Sequence, residues 1–197
     1  QRSGHILSQG DEDLARPVED HLCEEGMDLF TGTKIIKAAK ENGRSAIYYK
    51  HDGKEKRVEA ETILQALGRR PNIDGLNLSA AEVKTDRGRV TVDRQMRTNQ
   101  KNIFAVGDVN GIHEVVHIAI QQGEIAGFNA CNPEEPDKEM DDRLKASVVF
   151  TDPAVASVGL SEKECKAESI DYRVASHLFS DHGKSMCLGE THGHVKI

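Results

Sequence analysis

The spacing of apolar residues along the chain changes several times, and each change marks a predicted element. Between Asp11 and Glu25, Leu14, Val18 and Leu22 recur every four residues, as on one face of a helix. Asp11 suits the N-cap, Asp13 the positive N-terminal end, and Gly26 the stop. Pro17 falls inside this run, where a proline costs about 3 kcal/mol, so a late helix start is expected. From Met27 to Thr62 the period drops to two. Runs at Asp28–Lys37, Ala46–Lys50 and Arg57–Thr62 are separated by Glu41-Asn42-Gly43-Arg44 and His51-Asp52-Gly53-Lys54. Asn-Gly and Asp-Gly between β-type runs predict a three-stranded antiparallel meander.

Two short apolar runs follow. Thr62–Leu67 ends in Gly68-Arg69-Arg70-Pro71-Asn72, and Asn102–Val106 ends in Gly107-Asp108. Both read as strands of a parallel sheet that stop at a cleft, the second buried on both faces. A further strand is expected at Arg89–Asp93. Glu114–Ala130 reads as a helix rich in small residues, Gly123 and Gly127 among them. Each interior glycine costs about 1 kcal/mol relative to alanine, so a close neighbour against that face is expected. Asn132-Pro133-Glu134-Glu135-Pro136-Asp137 is linker chemistry, and the acidic stretch Glu134–Asp142 reads as solvated. Beyond it, strands are predicted at Ala146–Phe150, Val155–Val158, Tyr172–Leu178 and His194–Ile197, with a capped helix from Ser161. The fold class is therefore α/β, with an α+β unit beginning near residue 143.

Composition narrows the function. The 197 residues carry 26 Lys and Arg against 33 Asp and Glu, a net charge of −7, which argues against a nucleic-acid binder. No apolar run is long enough to span a bilayer. Cys23, Cys131, Cys165 and Cys187 are far apart in sequence, so no CxxC or CxxxxC pair is available for a zinc ribbon or a local redox disulfide. Cys131 and Cys165 read as inert thiols. A cytoplasmic protein with reduced thiols is expected. His192 and His194 share one strand face, with His177 and His182 near them in sequence. A metal site there would need a third ligand, so surface or core histidines are the simpler reading and no metal is expected.

The most informative stretch is the strand–Gly–Asp–loop–helix unit at 102–130. Asp108, at the end of a buried strand, can accept hydrogen bonds from ribose-like or ribityl hydroxyls, and the following helix turns its N-terminal amides to the same crevice. On pattern alone, an ordinary crossover with Asp108 as a turn residue explains the unit equally well.

Several motifs in order extend the argument. Leu67-Gly68-Arg69-Arg70-Pro71-Asn72, then Thr98 through Ile103-Phe104-Ala105-Val106-Gly107-Asp108, resembles the paired signatures of the pyridine-nucleotide–disulphide oxidoreductases. The likeness continues through His117-Ile118-Ala119, Gly123, Ala126-Gly127 and Asn129-Ala130. It extends to Val149-Phe150-Thr151-Asp152-Pro153, Ala156–Glu162 and Gly189-Glu190-Thr191-His192-Gly193-His194-Val195-Lys196. Dihydrolipoamide dehydrogenases and mercuric reductases are the members it is most similar to.

The resemblance implies FAD and NAD(P) as cofactors. It places Gly107 and Asp108 at the ribityl chain of FAD, and Glu114, Val115, Val116 and His117 at the helix start beneath the flavin's pyrimidine edge. There the helix would stabilise negative charge at the N1–C2=O2 locus. Glu114, where members often carry Met, is expected to turn outward. Gly68 would admit the nicotinamide dinucleotide, with Arg69 beside it. Gln1 with Arg2 leans towards NADP, Arg2 being offered to a 2′-phosphate, although a solvated basic residue is an equal reading.

The implied organisation is the end of an NAD(P)-binding domain at 1–70, an FAD-domain return segment at 71–142, and the start of a dimerisation domain at 143–197. The chain has no G-x-G-x-x-G, no CxxxxC and no His-Pro…Glu element, so no catalytic residue is assigned. It reads as a piece of a longer homodimeric enzyme, inactive alone. The implied substrate is a small disulfide or dithiol, or a lipoyl protein, with neither nucleic acid nor membrane as partner. The other readings are a non-catalytic module that mediates association and a redox-inert flavoprotein subunit.

Overall fold

The computed structural model describes residues 1–141, 143 and 145–197, so the expected boundary at 142/143 and the acidic stretch's last residue, Asp142, touch positions outside the described residues. The chain divides into two compact units. One combines 1–65 with 148–197, and the other is 66–147.

The first unit opens on α1 (Glu12–Glu24), which buries Ala15 and Val18. Pro17 lies inside the helix without delaying its start. The helix ends as Gly26 predicts. Gly26 takes φ +95°, its N–H donates to the Cys23 carbonyl, and the Met27 N–H reaches back to Leu22 O, both at 3.0 Å. This pair of bonds closes the orphan carbonyls of the last turn.

The meander follows: β1 (Lys34–Glu41), β2 (Arg44–His51) and β3 (Lys54–Ala60), all antiparallel in the order 1-2-3. Asn42 and Gly43, and then Asp52 and Gly53, all have positive φ, as tight two-residue turns matched to strand twist require. These turns set the register outward from themselves. The first strand therefore starts at Lys34 rather than Asp28, and the third ends at Ala60 rather than Thr62. Residues before β1 are occupied elsewhere: the Gly32 N–H donates to Ser3 O and the Thr33 N–H to Gln1 O, at 2.7 and 2.9 Å.

The C-terminal part of this unit contributes β7 (Val155–Val158), paired with β6 (Ala146–Val149), then α3 (Glu162–Ala167), β8 (Ser176–Leu178), α4 (Gly183–Leu188) and β9 (His194–Lys196), which pairs antiparallel with β8. Ser161 closes a full capping box with Glu164, as its sequence predicts.

Side chains from α1, α3 and β9 meet at one ion cluster. The Lys196 Nζ donates to Asp11 at 3.0 Å, to Asp13 at 2.8 Å and to Glu162 at 2.9 Å. Its side chain is only 11% exposed. Burial works to lower the Lys196 ammonium, but the bonds from Asp13, Glu162 and Asp11 outweigh it and hold it above its ordinary range. Burial likewise works to raise Asp11. The bonds from Lys196 and from the Lys163 and Glu162 amides prevail and hold that carboxyl below its ordinary value.

The second unit is built on α2 (Val116–Cys131). Its stripe of Ile118, Gln122, Ile125, Ala126 and Asn129 is buried. Met96, Met140, Phe104, Val106 and Val115 pack with that stripe into one core. The small hairpin of β4 (Thr85–Asp86) and β5 (Arg89–Val90) turns through Arg87 and Gly88, both at positive φ. The strand expected at Arg89–Asp93 is thus only two residues long.

Four expectations fail here. Thr62–Leu67 forms no strand, and Leu64 and Leu67 are 91% and 75% exposed. Asn102–Val106 is not a parallel strand: it makes one antiparallel bridge, Phe104 to Arg97, with the Thr98 N–H on Ile103 O and the Ala105 N–H on Met96 O. A parallel strand needs neighbours to take its amides and carbonyls, and the nearest segment able to do so is the one that precedes it. The α/β class stands without that element. The acidic stretch after α2 is not a free linker either. Met140 is 2% exposed in the core, Asp137 pairs with Arg97 at 2.9 Å, and the Asn129 side chain exchanges bonds with the Lys138 backbone. Finally, no atom stands within 4 Å of a Cβ built on Gly123 or Gly127, so the small-residue face has no close neighbour among the described residues.

No helix among the described residues is long and apolar enough to cross a membrane.

Three substitutions test these cores. A carboxyl held below its ordinary value adds stability above about pH 3.9, and loses it as pH falls through the lowered folded value. Asp11→Ala should therefore lower stability by about 2 kcal/mol near neutral pH. In denaturation curves the deficit should shrink towards zero in acid. Lys196→Met should also show the other limit: its deficit is full from the pH at which its carboxylate partners are ionised up to about pH 10.4, and disappears as pH rises through the raised lysine value. In the second unit, Met96→Ala should cost about 2–5 kcal/mol, read as earlier loss of helical signal on heating.

Candidate functional site

The loop that ends the extended run 102–106 and the start of α2 define the site. Gly107 adopts φ +73°, and a Cβ there would sit 3.3 Å from the Ala119 Cβ. Both facts favour glycine: the first for backbone freedom, the second because α2 lies close. The Gly107 N–H donates to the Gln122 Oε1 at 2.7 Å, inside the protein. Asn110 donates to the same oxygen at 2.9 Å and to Ala105 O at 3.1 Å, and its own Oδ1 accepts the Ile112 N–H. Residues 107–109 close a short 3₁₀ turn. Fully buried Gln122 thus fixes the turn from below and leaves Asp108 pointing away from the core, its side chain 51% exposed.

Asp108 opens onto a cavity of about 230 Å³ lined by Arg69, Arg70, Pro71, Asn72, Val109 and Glu114. Arg69 reaches Asp108 at 3.4 Å and Glu114 at 4.0 Å. Arg89 reaches Glu114 at 3.7 Å and donates to Gly111 O at 2.9 Å. Two guanidiniums therefore face two carboxylates at the rim of one cavity. These exposed pairs contribute little stability in water, but they leave both acids in place and partly neutralised.

Beyond Glu114 the backbone enters α2 through Val115, an extended N-cap with no side-chain hydrogen bond to the helix. The first turn of α2 holds no acidic residue, so its free amides keep their partial positive charge. Val115 packs on the core, Val116 is 77% exposed, and the His117 Nε2 lies 3.0 Å from Ala146 O.

The sequence-predicted residues thus divide. Gly107, Asp108, Arg69 and Glu114 come together, with Val115, Val116 and His117 at the adjoining helix start. Glu114 does not turn away from the cavity as expected, because Arg69 and Arg89 hold it there. Gly68 is exposed at φ +101°, a backbone shape that favours glycine. Arg2 is exposed in the other unit, where the Gln1 amine donates to Phe30 O at 2.7 Å.

Sequence reasoning missed Gln122, Asn110 and Arg89. Gln122 carried a signal, as a polar residue at a position whose helical neighbours Ile118 and Ile125 are apolar. Arg89 carried none in the local pattern.

Comparisons with known proteins follow the same lines. Residues 1–123 match the model of the pyridine nucleotide-disulphide oxidoreductases, and residues 145–197 match the dimerisation domain of that family. A dihydrolipoyl dehydrogenase of Mycobacterium tuberculosis is 34% identical over 97% of this chain and 41% of its own length. A mercuric reductase of Staphylococcus aureus is 31% identical over 100% of this chain and 36% of its own. Among solved structures, LpdA from Mycobacterium tuberculosis superposes with a TM-score of 0.85 at 29% identity, covering all of this chain and 42% of its own. The flavoprotein disulfide reductase RclA from Escherichia coli shares the fold, with a TM-score of 0.83 at 22% identity, over all of this chain and 44% of its own. The chain spans about two fifths of the length of the dihydrolipoyl dehydrogenases it matches. Members of this family work with FAD and NAD(P)H. By the match over residues 1–123 and the order of its motifs, the chain belongs to the pyridine nucleotide-disulphide oxidoreductase family.

Proposed function

We propose that the chain is part of an FAD-dependent oxidoreductase that passes electrons between NAD(P)H and a disulfide-type substrate. Residues 107–117 form part of its flavin seat. The observation that carries this reading is the Gln122-pinned turn, which fixes Gly107 and presents Asp108 at a cavity beside the uncapped start of α2. When bound, FAD supplies a two-electron carrier between nicotinamide and disulfide.

The residues present suit that group. The Asp108 carboxylate accepts hydrogen bonds from ribityl hydroxyls, a task for an acceptor-only side chain. The amides at the α2 N-terminus, free of any carboxylate in the first turn, favour negative charge on a neighbouring ring system by fixed dipoles that need no reorganisation. Arg69 and Arg89 offset the Glu114 charge, which would otherwise oppose such charge. Gly68 and Arg69 lie towards the nicotinamide dinucleotide, and Arg2 serves a 2′-phosphate where the nucleotide is NADP.

The wider reading has three domain parts: 1–70 from the nucleotide-binding domain, 71–142 from the returning flavin domain, and 143–197 from the dimerisation domain. The exposed face of α2, with Val116, Ile120, Gly123 and Gly127, is where the rest of the flavin domain packs. The match of 145–197 to a dimerisation domain supports a homodimer. The names of the relatives support a dithiol or disulfide substrate, a dihydrolipoyl group foremost. A cytoplasmic setting completes the reading.

In the full-length enzyme, Asp108→Ala should weaken FAD retention by about 10–100-fold, the worth of hydrogen bonds to a charged acceptor, read as flavin absorbance lost on gel filtration. Full retention would defeat the assignment. Gln122→Leu, which keeps volume but removes the acceptor under Gly107, should also release flavin while circular dichroism stays unchanged.

A further inference from the structure

The first unit carries a second cluster of chemistry, and the flavin reading does not use it. Strand β9 and the bend that precedes it, with Gly193 at φ +92°, bring His192, His194 and Lys196 to α1. Lys196 meets Asp11 and Asp13, and His194 comes within 3.8 Å of Asp13. His192 reaches the last turn of α1. There its Nε2 is 3.6 Å from a Glu24 carboxylate oxygen, and its ring centre is 4.6 Å from that of His21.

We propose that His21, Glu24 and His192 form a binding site for a divalent transition ion of the zinc type, which fastens the end of α1 to the segment entering β9. One ligand atom from each residue lies within 4.8 Å of the other two. His21 and Glu24 are three residues apart on a helix, so they project from one face. A third ligand from a separate element completes the two-imidazole, one-carboxylate set that zinc accepts while keeping a position for water. Bonds of about 2.0–2.1 Å would draw the ligand atoms together by about an ångström. Glu24, whose side chain is 63% exposed, can swing to supply that closure.

A second observation points to an occupant. The His21 Nδ1 is buried and meets no hydrogen-bond partner among the described residues. A buried polar nitrogen left without a partner asks for an explanation, and an ion or an ordered water provides one. The other nitrogen of the ring, Nε2, lies 3.9 Å from a Glu25 carboxylate. That is beyond hydrogen-bond distance, so a ligating His21 would have to draw Glu25 in to gain the carboxylate partner that orients imidazoles in metal sites. Paired imidazoles with one carboxylate favour zinc, copper or nickel over magnesium or calcium, which prefer oxygen throughout. The site shares no residue with the flavin seat, so its test is independent of that reading.

The test is titration of the metal-free 197-residue chain with Zn²⁺, followed by calorimetry and by the side-chain nitrogen resonances of histidine. The expected result is one equivalent bound at micromolar concentrations, with the His21 and His192 resonances moving together. His192→Gln and Glu24→Gln should each weaken binding by more than about tenfold. Glu24→Gln alters only an exposed carboxylate, so it keeps the test valid where a histidine variant unfolds. Cys23→Ser, beside Glu24 in sequence, and His182→Gln should leave binding unchanged. Three results would overturn the proposal: no binding at these concentrations, binding that survives both Glu24→Gln and His192→Gln, or binding lost with Cys23→Ser. Resonance shifts on metal-free chain that match those of a bridging water alone, unchanged by Zn²⁺, would overturn it as well.

Discussion

The unit formed by the two ends of the chain depends on the Lys196 ammonium. It lies among three carboxylates contributed by α1 and the start of α3, and it is nearly buried. One cation among three anions would leave a large unbalanced charge, and burying such charge is costly. Two features offset the excess. Asp11 also accepts the backbone amides of Glu162 and Lys163, both at 3.0 Å, and so caps α3 from outside. Glu162 also accepts from the Lys166 ammonium at 3.3 Å. The arrangement ties residue 11 to residue 196 through groups that each have a second partner. Removing Lys196 would leave Asp11, only 11% exposed, without its counter-charge.

The second unit uses a neutral version of the same device. Gln122 is a polar residue in the centre of an apolar helix stripe, and its Oε1 accepts both the Gly107 N–H and the Asn110 side chain. Only the acceptor half of this buried amide is paired: the Nε2 is buried and has no hydrogen-bond partner among the described residues. The pairing here converts a core position into a support for a surface turn. The strain-free positive φ at Gly107 and the exposed Asp108 both follow from that support. The core and the candidate cofactor site are in this sense one structure: Ile118 and Ile125 hold the helix, the helix holds Gln122, and Gln122 holds the turn.

What the sequence made legible was local. The Asn42-Gly43 and Asp52-Gly53 turns, the Gly26 helix stop and the Ser161 capping box each depend on a few consecutive residues, and each forms as its residue types require. The failures share the opposite property. Asn102–Val106 has the composition of a buried parallel strand, but a strand's state is decided by its neighbours, and here the antiparallel return from Arg97 and Met96 takes its bonds. The acidic stretch around Asp137 reads as solvated because nothing in its own composition reveals Arg97 or the core position of Met140. For the site, the motif around Gly107-Asp108 located the turn, while Arg89 and Asn110 became visible only through contacts.

Distance along the chain also explains the histidines. The sequence reads His192 and His194 as sharing a strand face, but β9 begins at His194 and His192 lies in the bend before it, with Gly193 at φ +92°. In the structure the two separate: His194 goes to Asp13 near the start of α1, and His192 to His21 and Glu24 near its end. An antiparallel course of β9 along α1 requires this divergence, since a strand advances more than twice as far per residue as a helix. Strand residues two apart then meet helix residues a little more than one turn apart, and the bend at Gly193 carries His192 further along the helix. A cluster that pairs opposite ends of the sequence cannot be inferred from spacing within either end. It becomes legible once the Lys196 network has set the strand against the helix and the bend at Gly193 turns His192 towards Glu24.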